Sequence, residues 1–291
     1  MQTKILVTGG TGMVGRHLKE CGLKAAFVGS KSCNFTDSVD TKDFFSTFRP
    51  SVVIHLAAKV GGIMDNINNP VSYFEDNTLI NTNVVKYAYE YGCTRFIGVL
   101  STCIYPDRLN DSFYPLDEDT LHLGPPTQTN FSYGYAKRCL QVQLECYRKQ
   151  YGMEYSSIIP CNLYSEYDHF EGDKAHFVTS LVRKIALAKL NKTDSIELFG
   201  TGKPLRQFMY AEDLAKAIML CINSGKTFDL NIATPETRTI KEIAEIALEA
   251  CDAKHLHINW NTDKPDGQYR KDVSDKKFKE VCPSFEYTTL K

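Results

Sequence analysis

A short β-branched run from Lys4 to Val7 passes straight into Thr8-Gly9-Gly10-Thr11-Gly12-Met13-Val14-Gly15 and then into helical patterning. Glycines at 9, 12 and 15 on a strand-to-helix turn permit a tight bend, close approach of backbone to a pyrophosphate and close helix packing, while the helix N-terminus attracts the anion. Short apolar runs at Ala25 to Val28, Val52 to Leu56 and Phe96 to Leu100 alternate with amphipathic segments, the pattern of a parallel sheet covered by helices. The expected fold is α/β, a Rossmann-type doubly wound parallel sheet with a smaller C-terminal substrate-binding lobe. Helices are expected after Asn77 as far as Tyr91-Gly92, and from Ser132 to Tyr151, where Gly152 supplies a favoured stop. Further on come a strand from Tyr155 to Ile159, a helix from about His176 to Leu190, a strand at Ile196 to Phe199 and a helix at Leu214 to Ile222. Thr239 with Glu242 forms a capping box ahead of Ile243, Ala247 and Leu248. No linker divides the chain: residues 1–162 read as the nucleotide-binding domain, with later segments crossing back, and 163–291 mainly as the substrate lobe.

The 34 basic and 35 acidic side chains leave a net charge of −1, which gives no electrostatic footprint for nucleic acid or an anionic membrane. An anionic ligand must then be held by a local cluster of cations. No apolar run approaches the ~18 residues of a spanning helix, and the N-terminus enters a strand without a signal-peptide layout, so a cytoplasmic protein is expected. The ten cysteines include no CxxC pair, which predicts reduced thiols and no metal site.

The end of the second strand distinguishes the two nicotinamide cofactors, because an acid there bonds a ribose 2′-hydroxyl and repels a 2′-phosphate. Here Phe27-Val28-Gly29-Ser30-Lys31 carries a hydroxyl and an ammonium instead, favouring NADP(H) over NAD. Asp37 either reaches the adenine amino group or caps the following helix. Tyr133 and Lys137 stand four apart in Tyr133-Gly134-Tyr135-Ala136-Lys137 and share a helix face. The ammonium is expected to lower the phenol pKa, making Tyr133 an acid for a carbonyl oxygen that receives hydride. Tyr135, two residues from Lys137, turns to another face. Leu100-Ser101-Thr102-Cys103 places a hydroxyl and a thiol at the carboxyl end of a strand, where ligands of such sheets bind.

These motifs resemble the extended short-chain dehydrogenase/reductase family, over nearly the whole chain. The most specific segments are His55-Leu56-Ala57-Ala58-Lys59-Val60-Gly61-Gly62-Ile63, Leu100 to Pro106 (LSTCIYP), Ser132 to Arg138 (SYGYAKR), Pro160-Cys161-Asn162-Leu163-Tyr164, Gly200 to Phe208 and Lys264-Pro265-Asp266-Gly267-Gln268. Within the family they are similar to the branch that epimerises C3 and C5 of GDP-4-keto-6-deoxy-mannose and reduces its C4 ketone with NADPH, yielding GDP-L-fucose.

The resemblance implies Cys103 as base and His176 as acid, with the thiol activated by a nearby imidazole and the cofactor's electropositive end. Ser101 and Tyr133 would bond the C4 oxygen, and Lys137 would hold the nicotinamide ribose. Gly9, Gly12, Met13, Val14, Gly15, Ser30, Lys31, Ala57 and Lys137 would line the cofactor site. Asn162, Lys184, Phe199, Arg206 and Lys271 would meet the sugar nucleotide, the three cations taking its diphosphate. His55, in a strand among apolar residues, reads as structural. Many relatives pair as homodimers through the helix after Asn77 and the Tyr133 helix. Three features depart from the family: Ser165-Glu166-Tyr167 stands where Gly-Pro-His is usual, Phe199 where an indole is common, and the chain ends at Lys291, before a customary further helix. The alternatives are a 4-epimerase or 4,6-dehydratase of the same family, the latter expected to carry an acidic pair in place of Thr102-Cys103, and a silent NADP sensor, which would tend to lose the tyrosine or lysine.

Overall fold

In the computed structural model, which describes residues 3–170 and 175–290, strand β1 (Ile5–Thr8) turns through the glycines into helix α1 (Met13–Glu20). The alternation continues with β2 (Ala26–Val28), α2 (Ser38–Phe48), β3 (Val52–His55), α3 (Ile63–Asn68), α4 (Pro70–Glu90), β4 (Arg95–Val99), α5 (Phe131–Tyr151) and β5 (Glu154–Pro160). Helix α5 stops at Gly152, which takes the left-handed conformation at its C-cap. Helix α4 begins well before the expected start at Asn77. Pro70 pre-sets the first helical turn, and Asn77 is an interior residue whose buried amide donates to the Tyr73 and Lys59 carbonyls.

The later chain adds β6 (Asn162–Tyr164), α6 (Phe177–Asn191), β7 (Ser195–Phe199), β8 (Leu205–Arg206), β9 (Phe208–Tyr210), α7 (Ala211–Asn223), β10 (Asp229–Ile232), β11 (Arg238–Thr239), α8 (Ile240–Ala250), β12 (His257–Asn261) and α9 (Lys276–Val281). Six strands form one parallel sheet in the order β2-β1-β3-β4-β5-β10. Helix α1 packs with α7, while α2, α4 and α5 pack in series. Strand β3 is accordingly buried along its length, as expected for a sheet covered by helices. Strand order reverses between β1 and β3, the switch point outside whose strand carboxyl ends ligands of such sheets bind.

Strand β10 escaped the apolar pattern because Asn231 sits in its middle. Buried in the sheet, that amide accepts from the Tyr105 hydroxyl at 2.8 Å and donates to the Leu116 carbonyl. A second, smaller core gathers Leu181, Ile185, Leu198, Ala244 and Leu248 around the parallel pair β7–β12. Burying each large aliphatic side chain there stabilises the fold by roughly 1.5–3 kcal/mol. The capping box at Thr239 and Glu242 starts α8 as its sequence implies. Among the described residues no helix is long and apolar enough to cross a membrane.

Candidate active site

Gly9 has φ +67°, and a Cβ there would lie 2.7 Å from the Ala57 nitrogen. The first glycine therefore threads the turn against the end of β3, at the point where the strand order reverses. Gly12 caps α1 without a side-chain bond, so Met13 and Val14 open a helix whose first amides no side chain occupies. Gly15 sits against the loop, since a Cβ on it would meet the Gly10 carbonyl at 2.5 Å. The Ala57 amide donates to the Thr8 hydroxyl, tying β3 to β1. Ser30 and Lys31 are exposed just past β2. Asp37 is resolved as a helix cap, its carboxylate accepting from the Val39 and Asp40 amides at 2.7 and 3.1 Å. A cradle that a Cβ would fill, open helix amides and a cation with a hydroxyl beyond β2 fit a dinucleotide carrying a 2′-phosphate.

Beyond the end of β4, Ser101 caps a single 3₁₀ turn over Thr102–Ile104, its hydroxyl accepting from the Cys103 amide. Arg138 on α5 clamps this turn by donating to the Ile104 carbonyl at 3.0 Å and to the Gly124 carbonyl at 2.9 Å. Gly134 lets α5 close on it, because a Cβ there would stand 2.7 Å from the Cys103 carbonyl oxygen. The result brings Ser101, Cys103 and Tyr133 into one cluster. Burial by itself pushes the Cys103 thiol up, but Lys271, the Ser101 hydroxyl and Arg206 outweigh it and hold the thiol below its ordinary value. The Lys271 ammonium donates to Cys103 Sγ at 3.5 Å. In this structure the cation beside the thiol is thus the Lys271 ammonium, a residue also expected near the diphosphate.

The expected lowering of the Tyr133 phenol is also reversed. Burial and then the neighbouring Cys103 charge push it well above its ordinary value. Lys137 does not counter this, for its ammonium donates to the Val99 carbonyl at 2.8 Å and burial lowers it to about 8. Tyr135 packs on Phe131 with ring centroids 4.8 Å apart and lies beside Arg138, away from the cluster. His55 is structural: Nδ1 accepts from the Thr8 hydroxyl and Nε2–H donates to Asn81 Oδ1. Burial, then the Lys137 charge, lowers its pKa to about 3, against the Asn81 bond, so the ring is neutral. The acceptor on Asn81 fixes that tautomer.

On the substrate-lobe side His176 stands at the N-cap position of α6, and its ring Nδ1 meets Asp168 Oδ1 at 2.9 Å. The Lys184 ammonium lies 5.2 Å from the centre of the exposed Phe199 ring, and Lys264 lies 5.8 Å from it. An aromatic face flanked by two ammonium groups suits a nucleobase with its phosphates. Lys184 also donates to the Glu197 carbonyl. Arg206 is lowered to about 10 by burial, against the charges of Cys103 and Asp266; it sits near the thiol as well as the expected diphosphate region. The Asn162 amide donates to the Gln207 carbonyl where β6 pairs with β9.

The sequence profile of the NAD dependent epimerase/dehydratase family matches residues 5–233. The chain belongs to this family. It is 36% identical to a probable GDP-L-fucose synthase of Drosophila melanogaster over 99% of this chain and 93% of that one. Identity is also 36% to the GDP-L-fucose synthase of Dictyostelium discoideum, covering 98% of this chain and 91% of the relative. The crystal structure of a GDP-L-fucose synthetase from Naegleria fowleri bound to NADP superposes with a TM-score of 0.87 at 34% identity, covering 99% of this chain and 90% of that one.

In this epimerase/dehydratase the unusual Ser165-Glu166-Tyr167 segment docks on α1. Buried His17 places Nε2 2.8 Å from the Ser165 hydroxyl and Nδ1 3.3 Å from Glu20, with the Tyr167 and Tyr210 rings packed beside it. The substituted loop is thus tied to the helix that follows the glycine turn. Sequence reasoning missed Asp168, Gly134 and the clamping role of Arg138. Gly134 and Arg138 lay inside the quoted SYGYAKR string, but Asp168 carried no local signal, since its partner stands eight residues further along the chain.

Proposed function

We propose that this chain converts GDP-4-keto-6-deoxy-D-mannose to GDP-L-fucose by epimerising C3 and C5 and then reducing the C4 ketone with NADPH. The reading is carried by a lowered Cys103 thiol in one cluster with Ser101 and Tyr133, in a chain whose relatives named GDP-L-fucose synthase match it almost end to end. The C4 carbonyl acidifies the C–H bonds on both neighbouring carbons. The Cys103 thiolate takes a proton from one face of the ring, and the electron pair moves onto the C4 oxygen, which the Ser101 and Tyr133 hydroxyls stabilise as an enolate. His176 returns a proton to the opposite face of the same carbon. Each group exchanges its proton with solvent before acting at the second carbon.

Bound NADPH supplies hydride to C4. Tyr133 gives its proton to the resulting alkoxide, and a phenol kept neutral by burial holds that proton until the alkoxide forms. Lys137 is the ammonium for the nicotinamide ribose, with Gly9, Gly12, Met13, Val14, Gly15 and Ala57 around the pyrophosphate and Ser30 and Lys31 at the 2′-phosphate. Phe199 with Lys184 and Lys264 would take the guanine end, and Arg206 the diphosphate. Residues 1–162, with α7 and β10 crossing back, serve as the nucleotide-binding domain, and 163–291 mainly as the substrate lobe.

A second copy would cover α4 and α5, where Leu79 and Val142 are exposed beside a shallow groove lined by Thr78, Thr82, Cys139 and Leu140. A homodimer would bury that face. The ten cysteines stand unpaired, which suits a reducing cytoplasm. The test is to mix protein, GDP-4-keto-6-deoxy-mannose and NADPH in deuterated water. NADPH consumption with deuterium at C3 and C5 of GDP-fucose supports the reading, and Cys103→Ser should reduce without full epimerisation. NADPH binding with neither outcome sinks the sugar assignment.

A further inference from the structure

Asp168 lies in the loop after β6 with its side chain only 2% exposed, a costly place for a carboxylate without partners. Burial pushes its pKa up, but the His176 and Thr179 bonds outweigh this and hold it below the ordinary carboxylate value. Oδ2 accepts from the Thr179 hydroxyl at 2.6 Å and from the His176 backbone amide at 3.3 Å. Those two bonds hold the carboxylate against the start of α6. Oδ1 is left for the ring, 2.9 Å from His176 Nδ1. The ring itself caps nothing, its side chain is 38% exposed, and among the described residues no hydrogen bond engages Nε2.

The carboxylate is held firmly. The Asp168 amide donates to the Ser165 carbonyl at 3.2 Å, and the Ser165 hydroxyl is bonded to buried His17 on α1. Its position is thereby referred to the helix that opens the dinucleotide site.

Resting on the epimerase-reductase reading, we infer that Asp168 is a positioning residue for His176. It fixes the ring with Nδ1–H turned to the carboxylate, so that Nε2 is the atom that delivers the proton to the sugar carbon. A group that sets the tautomer and orientation of a catalytic imidazole acts through it without touching the substrate.

The test compares Asp168→Asn, which keeps size and an acceptor oxygen but removes the charge, with Asp168→Ala. Variants qualify by wild-type circular dichroism and NADP binding. Long-range 1H–15N spectra, with His176→Asn for assignment, should show the ring nitrogens of His176 changing pattern in both. Deuterium wash-in at C3 and C5 should fall about tenfold or more, with KM for the sugar nucleotide and hydride transfer to an already epimerised 4-keto sugar unchanged. Unchanged ring-nitrogen spectra, wild-type wash-in, or equal losses in wash-in and hydride transfer would each overturn the inference. Should the wild type wash in no deuterium, the functional reading falls, while the ring-nitrogen spectra of the free protein still decide what Asp168 does.

Discussion

The Lys271 ammonium stands 3.5 Å from the Cys103 sulfur, joining residues 168 positions apart in the cluster that carries the proposed proton chemistry. With Arg206 and the Ser101 hydroxyl it outweighs burial and keeps the thiol below its ordinary value. The thiolate therefore persists to lower pH than a free thiol allows, and is lost as pH falls through the depressed value. In Lys271→Met the burial remains without its main counterweight. The pH profile of Cys103 alkylation by iodoacetamide, read against Cys103→Ser, should move upward, with the neutral-pH rate falling about tenfold for each pKa unit regained. Lys271→Arg should restore much of it, and a superimposable profile in Lys271→Met would disprove the pairing.

Lys31 is exposed immediately past β2 with Ser30 beside it. Lys31→Ala should raise KM for NADPH about tenfold, the worth of one charge-assisted hydrogen bond to a phosphate, and leave KM for NADH nearly unchanged. Equal effects on both cofactors would separate Lys31 from the 2′-phosphate.

Gly134 occupies the contact between α5 and the Cys103 carbonyl, where a methyl would sit 2.7 Å from the oxygen. Gly134→Ala should push Tyr133 and Cys103 apart and slow both epimerisation and reduction, by about a hundredfold for a displacement near 1 Å. Stopped-flow NADPH oxidation and deuterium wash-in measure the two steps separately.

Stability should report on His55. Its ring is held neutral in the folded state, down to about 3, whereas an unfolded ring takes up a proton below about 6.5. The contribution is complete above the unfolded value and shrinks as pH falls from there toward the folded one. Urea midpoints should drop over that interval, and His55→Gln should flatten the slope whatever its effect on absolute stability.

Phe199 is 44% exposed between two lysines. Phe199→Ala should weaken GDP binding by about 1–3 kcal/mol if the ring stacks on the base, and Phe199→Trp should tighten it. Calorimetry with GDP alone isolates this from the chemistry.

What the sequence by itself determined is what short-range geometry controls. Gly9, Gly12 and Gly15 follow from the sterics of one turn, and the shared face of Tyr133 and Lys137 from the helical period. The capping box at Thr239 needs only four consecutive residues. Strand β10 was missed because Asn231 is satisfied by Tyr105 and Leu116, partners that no local pattern contains. The direction of the Tyr133 shift depended on where the Lys137 ammonium was bound, and α5 alone does not say that it meets the Val99 carbonyl at the end of β4. Asp37 could be read two ways until α2 was seen to start on it. The pairings of Lys271 with Cys103, Asp168 with His176 and Ser165 with His17 were decided only by tertiary structure. Spacing along a chain fixes which residues share a turn or a helix face, but burial of apolar surface brings distant segments together, and only then do ammonium, carboxylate and imidazole acquire the neighbours that set their protons.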